Sequence, residues 1–212
     1  MKNKLLIIGA SGHGKVAADI ALNMKRWHSI AFLDDDETLY SSMGIPIIGK
    51  SSDAKTYINY YDIFVGIGNN IIREKLQEEL EALGASIPIL IHPSAVIGEQ
   101  VVLESGTVVM AGAIINCCTK IEKGCIINTG STIDHDNYIE KYVHISPGAH
   151  LAGTVKVGKG SWLGIGSVVS NNVSITGKCK VGAGAVVVNN LNNTGTYVGV
   201  PAKIQLNEDR LK

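Results

Sequence analysis

The sequence predicts an α/β unit of Rossmann-like βαβ type followed by a parallel β-helix built from hexapeptide repeats. Two observations carry that prediction. Stepping six residues at a time from Ile91 to Val187 meets Ile, Leu or Val at all seventeen positions. Ahead of this repeat, the apolar run Leu5–Ile8 leads into Gly9-Ala10-Ser11-Gly12-His13-Gly14 and then into apolar residues at helical spacing.

The period fixes the kind of element. Residues two apart in a strand share a face. Each aliphatic residue therefore points inward with the small or β-branched residue two before it, such as Thr107, Ala113, Thr119, Asn137 and Ala149. The residue between them points outward and two more make a turn. Strand and turn at this period wind into a narrow coil whose rungs lie about 4.8 Å apart. An α-helix cannot hold a six-residue phase, and so many matches in register exclude a β-sandwich with chance spacing. Fixed short periods mark solenoids.

In chain order, Lys4–Ile8 is the first strand, and Val16, Ala17, Ile20, Ala21, Met24 and Trp27 form one face of a helix. Ile30–Leu33 is a second strand ending in Asp34-Asp35-Asp36. A glycine-rich turn at a helix N-terminus suits an anion such as a phosphate, and acids after the second strand stand where a ribose hydroxyl is held. The glycines read G-x-x-G-x-G, not the dinucleotide G-x-G-x-x-G, so a tight turn needing glycine for backbone reasons is equally open. His13, without an apolar pattern around it, favours function. A helix from Ser51 or Ser52 to Tyr60 and a strand Asp62–Ile67 follow. Then come Gly68-Asn69-Asn70, with Asn as a cap, and a helix with Ile72, Leu76, Leu80 and Leu83 inward. This unit has too few strands for a complete dinucleotide domain, which counts against a dehydrogenase. The expected domains are 1–90 and 91–212, the second closed after Val187 by a cap containing Tyr197 to Lys203.

Composition narrows the function classes. With 19 basic and 19 acidic residues the net charge is zero, and the scattered cations offer no basic stripe for nucleic acid. Cys117, Cys118, Cys125 and Cys179 show no C-x-x-C spacing, and Cys125 and Cys179 fall at inward positions as small hydrophobes. No disulfide is suggested, which fits a reducing compartment. Leu5–Ile8 is too short for a signal peptide, and no run is long enough to span a membrane. A soluble cytoplasmic protein is expected.

The chemistry is expected at one corner of the coil. With Ile133 inward, Asp134 points out and His135 and Asp136 occupy the turn. An acid beside a solvent-facing imidazole orients it and supports its charged form. One coil later the same corner carries Gly153, which bares a backbone N–H beside the histidine, the geometry of a base next to an oxyanion donor. No cysteine is placed beside this histidine, so a covalent acyl-enzyme is not expected. His144 and His150 point outward from flat faces, and Trp162 stands one coil beyond His144, open to a subunit contact or a cofactor.

In-phase hexapeptides resemble the left-handed β-helix acyltransferases, which form triangular coils and assemble around a threefold axis. Ser11-Gly12-His13-Gly14, Phe32-Leu33-Asp34-Asp35, Ile67 to Arg73, His92-Pro93-Ser94-Ala95, Asn128-Thr129, His135-Asp136, His144 and Gly199-Val200-Pro201-Ala202-Lys203 follow in one order. Together they resemble the bacterial sugar-nucleotide acetyltransferases, which N-acetylate UDP-4-amino-4,6-dideoxy sugars, and the related sialic acid O-acetyltransferases.

The resemblance implies acetyl-CoA as co-substrate, no metal, a UDP-amino sugar as acceptor, and a homotrimer with active sites between subunits. It implies His135 as general base supported by Asp136, with Ser11, Gly12, His13, Asp34, Asp35, Gly68 and Asn69 on the nucleotide sugar. It further implies His144, Ile165 and the Gly182-Ala183 backbone on acetyl-CoA. The alternatives are O-acetylation of sialic acid or another hydroxyl, a metal-dependent carbonic anhydrase, and a non-catalytic nucleotide-sugar scaffold. The carbonic anhydrase ranks low because His135, His144 and His150 lack the H-x-x-x-x-H spacing of that class.

Overall fold

The computed structural model describes residues 2–205, so Met1 and the end of the expected second domain, 206–212, lie outside the described residues. Lys4–Ile8 is the central strand of a three-stranded parallel sheet, flanked by Ser29–Leu33 and Asp62–Val65. The helix Gly12–Met24 buries Ala17, Ala18, Ile20 and Ala21. A second long helix, Asn70–Ala82, buries Asn70, Arg73, Gln77 and Leu80, so that of the residues expected inward Ile72 and Leu83 are exposed. Two expected elements are shorter than the pattern suggests. The helix to Tyr60 is a 3-10 turn, Ser51–Asp53, followed by one α turn, Ala54–Tyr57. The third strand stops at Val65, whose partner Ile8 ends the central strand, and beyond it the Arg73 guanidinium donates to the Ile67 and Gly68 carbonyls, each at 3.1 Å.

From Leu90 the chain winds as a three-faced parallel β-helix whose rungs pair residues eighteen apart, Ile115 with Ile133 and Leu151 with Val169 among them. The inward aliphatic file is sealed: Val109, Ile115, Ile121, Ile127, Ile133, Ile139 and Ile145 are all 0% exposed. Polar residues at inward positions find turn carbonyls, as Thr107 does with Glu122 O (3.1 Å) and Thr119 with Asp134 O (2.9 Å). Each turn needs a left-handed residue, supplied by glycine in eight turns and by Gln100, Cys118, Asp136, Tyr142, Thr154, Asn172 and Lys178 in the others. After Val187 the hexad stops, as expected. Thr196–Val198 returns to pair with Lys180–Val181, Lys203–Ile204 closes antiparallel on it, and Tyr197 plugs the core.

The three faces differ. One carries outward Val96, Ile114, Thr132, His150 and Val168, and Val96 is 57% exposed. A second carries the charged and polar residues Lys120, Tyr138, Lys156 and Ser174. The third, with outward Val108, Ile126, His144, Trp162 and Lys180, is covered by the α/β part as far as His144, while Trp162 and Lys180 stay exposed. At the early coils Val108, Met110 and Ile126 share one core with Leu5, Ile7, Ala17 and Phe32. Further along, the seam turns polar around Arg73, which is 1% exposed. Its Nε donates to Gly124 O (2.7 Å), Nη1 to Ile67 O and Gly68 O, and Nη2 to Asn70 Oδ1 (2.7 Å) and Tyr142 O (3.3 Å). All five N–H groups are used. Burial pushes its pKa down to about 10, so it stays charged at neutral pH. Lys123 adds ion pairs to Glu78 and Glu81 at the rim.

Replacing Arg73 by Leu leaves these buried carbonyls without donors. The expected cost is about 2–4 kcal/mol, read as a lower urea midpoint; an unchanged midpoint contradicts the clamp.

Candidate active site

The glycine-rich turn separates structural need from open space. Gly9 has φ +95, and its N–H donates to Leu33 O at 2.7 Å. A Cβ at Gly14 would overlap the Gly9 carbonyl, and one at Gly66 would lie 2.9 Å from Gly14 Cα, so the close approach of helix to strand requires these glycines. Gly12 is different: a Cβ there meets nothing within 4 Å, and the same holds for Gly68. Packing does not ask for glycine at either position. Ser11, the helix N-cap, makes no side-chain capping bond, so its hydroxyl is free beside the helix N-terminus.

The acids after the second strand are committed to backbone. Asp34 Oδ2 accepts from Ala10 N (2.7 Å) and Oδ1 from Asp36 N (3.0 Å), which fastens the turn to the strand. Asp35 Oδ1 accepts from Ser51 N at 2.9 Å. Asn69 Oδ1 caps its helix through the N–H groups of Ile71 and Ile72, as the sequence suggests.

His13 and His144 lie at the seam between the α/β part and the coil. His144 points away from the coil as expected, yet it is only 8% exposed because the α/β part covers it. Its Nε2 meets Asn128 Nδ2 at 3.1 Å, and its ring stacks on Trp162 with centroids 5.2 Å apart. His13 Nε2 and His144 Nδ1 are both buried without a partner. Burial, with Arg73 nearby, pushes His13 down to about 4 and His144 to about 3, so both are neutral. His150 is exposed, its Nδ1 2.8 Å from Thr132 Oγ1.

At the opposite corner, between the apolar and charged faces, His135 and Asp136 occupy the turn with side chains 52% and 56% exposed. His135 Nδ1 donates to Asp136 Oδ2 at 2.7 Å, which leaves Nε2 with its lone pair. Asp134 Oδ1 accepts from His135 N and from Asn116 Nδ2, both at 2.8 Å, and holds the turn from outside. The Asp136 hydrogen bond, aided by the charges of Asp134 and Asp136, raises His135 above its ordinary 6.5. Gly153 lies one rung on, and a Cβ there would stand 2.6 Å from His135 Cε1 and Nε2. Any side chain at Gly153 would therefore push the ring out of this position, and the Gly153 N–H donates to no group among the described residues.

One expectation is corrected. Cys117 and Cys118, both exposed, occupy the corner one rung before His135 and Asp136, with Asp136 N donating to Cys117 O at 3.2 Å. Thiols thus do stand beside the histidine's rung, since Cys117 is eighteen residues earlier. The sequence also gave no weight to Arg73 as the seam's centre, to Asn128 as partner of His144, or to Asn137 beneath the corner. Ile165 (62% exposed) and Ala183 lie at the corner beyond His144, and a Cβ at Gly182 would press within 2.8 Å of Val198. A cleft of about 450 Å³ opens on the covered face between Asn69–Ile71 and Lys159, Trp162 and Lys180, and does not include His135. Among the described residues no cluster of three His, Cys, Asp or Glu suits a metal, and no helix is long and apolar enough to cross a membrane.

Residues 4–80 match the family model described as the PglD N-terminal domain. The chain is 36% identical over 114 residues to the UDP-N-acetylbacillosamine N-acetyltransferase of Bacillus subtilis (strain 168), a match spanning 52% of this chain and only about half, 52%, of that protein. The solved acetyltransferase domain of PglB from Neisseria gonorrhoeae FA1090 superposes with a TM-score of 0.94 and 39% identity, over 96% of this chain and 100% of that one. That domain is also solved in complex with acetyl coenzyme A. PerB from Caulobacter crescentus, in complex with CoA and GDP-perosamine, is similar at TM-score 0.90 and 36% identity, over 96% of this chain and 97% of that one. Likeness of this extent, over nearly the whole chain, shows that the protein belongs to the hexapeptide-repeat, left-handed β-helix family of sugar-nucleotide N-acetyltransferases, whose co-substrate is acetyl-CoA.

Proposed function

We propose that the protein transfers the acetyl group of acetyl-CoA to the 4-amino group of a UDP-4-amino-4,6-dideoxy sugar in the cytoplasm. The observation that carries this reading is the corner itself: a histidine whose Nδ1 is held by Asp136 and whose free Nε2 stands beside a side-chain-free rung. The name of the Bacillus relative supports a UDP-linked acceptor. The GDP-perosamine complex of PerB favours a second reading, a GDP-linked 4-amino sugar.

The step is direct. The amine nitrogen attacks the thioester carbonyl carbon, the N–C bond forms, and His135 Nε2 takes the amine proton. The Gly153 N–H donates to the oxyanion. The carbonyl reforms, the C–S bond breaks, and the CoA thiolate leaves and is protonated, giving amide and free CoA. Asp136 holds the imidazolium while it exists. In this reading 1–90 holds the nucleotide sugar and 91–212 the acetyl donor. Ser11, Gly12, His13 and Gly68 present the open turn to the nucleotide diphosphate. Asp34 and Asn69 act from behind it, since backbone N–H groups occupy their oxygens, while exposed Asp35, bonded through Oδ1 alone, keeps Oδ2 for the nucleotide. His144, Ile165, Gly182 and Ala183 form the track for acetyl-CoA.

One chain does not complete this site. The α/β part covers one face of the prism, and His135 sits on the corner opposite that face. The body of the coil separates the nucleotide turn from the base. A neighbouring copy packed on the apolar face, through exposed Val96, Ile114 and Val168, brings its own nucleotide turn to this corner. The reading is therefore a homotrimer with one site at each subunit boundary.

With acetyl-CoA and a panel of UDP- and GDP-linked amino sugars, mass spectrometry is expected to show a single added acetyl group on a 4-amino sugar. His135→Ala is expected to lower kcat by about 10²–10⁴-fold while acetyl-CoA binding by calorimetry persists; near-normal turnover removes His135 from the role. The base works deprotonated and its pKa is raised, so the acid limb of kcat/KM is expected above pH 6.5. Asp136→Asn moves that limb down, and an unmoved limb contradicts the pairing. Co-expressing His135→Ala with a turn-blocking Gly12→Phe is expected to restore about a quarter of wild-type activity by random mixing of subunits; no recovery places both halves in one chain.

A further inference from the structure

Inside the prism, beneath the catalytic corner, one residue departs from its neighbours. The inward file on this edge reads Val101, Thr119, Asn137, Val155, Val173 at eighteen-residue steps. Thr119 donates one bond, its hydroxyl to Asp134 O one rung on. Asn137, 2% exposed, does more. Its Nδ2 lies 2.7 Å from Asp134 O, 3.2 Å from His135 O and 3.0 Å from Ala152 O. The first two carbonyls belong to the turn that carries the base. The third directly precedes Gly153. One NH₂ group thus spans the rung of His135 and the rung of Gly153 from within. Its own backbone N–H donates to Thr119 Oγ1 at 3.2 Å, which locks it to the rung below.

We propose that Asn137 is a positioning residue that fixes the offset between His135 Nε2 and the Gly153 N–H, and so sets the alignment of base and oxyanion donor. The inference rests on the corner reading given above. The physical need is clear from the surroundings. His135 is exposed and its ring is held only at Nδ1, while Gly153 has no side chain to anchor it. The turn backbones must then be held from the inside. The single backbone bond between the two turns, Thr154 N to His135 O at 3.0 Å, fixes their spacing along the axis. The carboxamide adds restraint across it, tying the carbonyls before both reacting groups to one planar group. A valine there, as at the next two rungs, would leave the Ala152 carbonyl without this donor.

Those same rungs make the test safe. Val155 and Val173 occupy the equivalent place in intact coils, so Asn137→Val is compatible with winding. Thr119 shows that threonine retains a tie to the following rung, so Asn137→Thr keeps one of the bonds. Steady-state kinetics with the amino-sugar nucleotide that the panel identifies is expected to show kcat of Asn137→Val reduced about 10–100-fold. Both KM values and the acid limb of the pH profile are expected to stay within about twofold of wild type, with Asn137→Thr between the two proteins in kcat. Asn137→Val with wild-type kcat overturns the inference, whether or not its Tm falls, because a purely structural staple would move stability alone. A kcat loss accompanied by a shifted acid limb also overturns it, since that assigns Asn137 to the basicity of His135 rather than to alignment. Failure of wild-type protein to acetylate any amino sugar in the panel is a different result: it rejects the enzymatic reading, and with it this one.

Discussion

Eighteen residues make one rung, and every important feature follows from that count. The aliphatic file inside the prism holds the phase, and because it is sealed, insertion or deletion of a single residue would turn its apolar side chains outward. Residues eighteen apart are therefore forced to stand on one another. Cys117, His135 and Gly153 form such a column, and the missing side chain at Gly153 leaves room for the imidazole in the position it takes. The site is a property of the winding rather than of a flexible loop, which suits chemistry that depends on a fixed separation of base and oxyanion donor.

The α/β part is fastened to the coil by a different physics at each end of the seam. At the early rungs apolar residues of sheet, helix and coil merge into a shared core. Further on, one buried guanidinium serves four backbone carbonyls and an amide, with acids only at the rim. A cation without a buried anion is tolerable because every N–H is satisfied. Burial first, and its field second, keep His13 and His144 neutral at the seam. Two neutral imidazoles there, each with an unpartnered nitrogen, leave hydrogen-bonding capacity next to the expected paths of both substrates.

Much of this was legible in the sequence, for a physical reason. A hexad in phase leaves no freedom in which residues face inward, and the arithmetic from His135 to Gly153 needs no tertiary knowledge. The same arithmetic run backwards lands on Cys117, so the thiols near the corner were readable too. What was not legible depends on contacts across the seam. His144 shows as an outward residue, and only the packing of the α/β part turns outward into buried. Asp34 and Asp35 stand after a strand where a ribose is held, but the backbone N–H groups they accept from, Ala10 N and Ser51 N, come from segments distant in the chain and only the fold brings them there. Arg73 reads as a surface cation on a polar helix because nothing local announces the carbonyls it meets. Gly12 is the opposite case: the pattern leaves a backbone need and a ligand site equally open, and the open space around it shows that packing makes no demand for glycine.

The most direct measurement is a crystal structure of the protein with CoA and the amino-sugar nucleotide. The sugar amine is expected about 3 Å from His135 Nε2, with Gly153 N–H facing the thioester end of CoA and the nucleotide held on the glycine-rich turn of a neighbouring subunit. A nucleotide sugar whose amine lies away from His135, or whose turn and histidine come from the same chain, would contradict this arrangement.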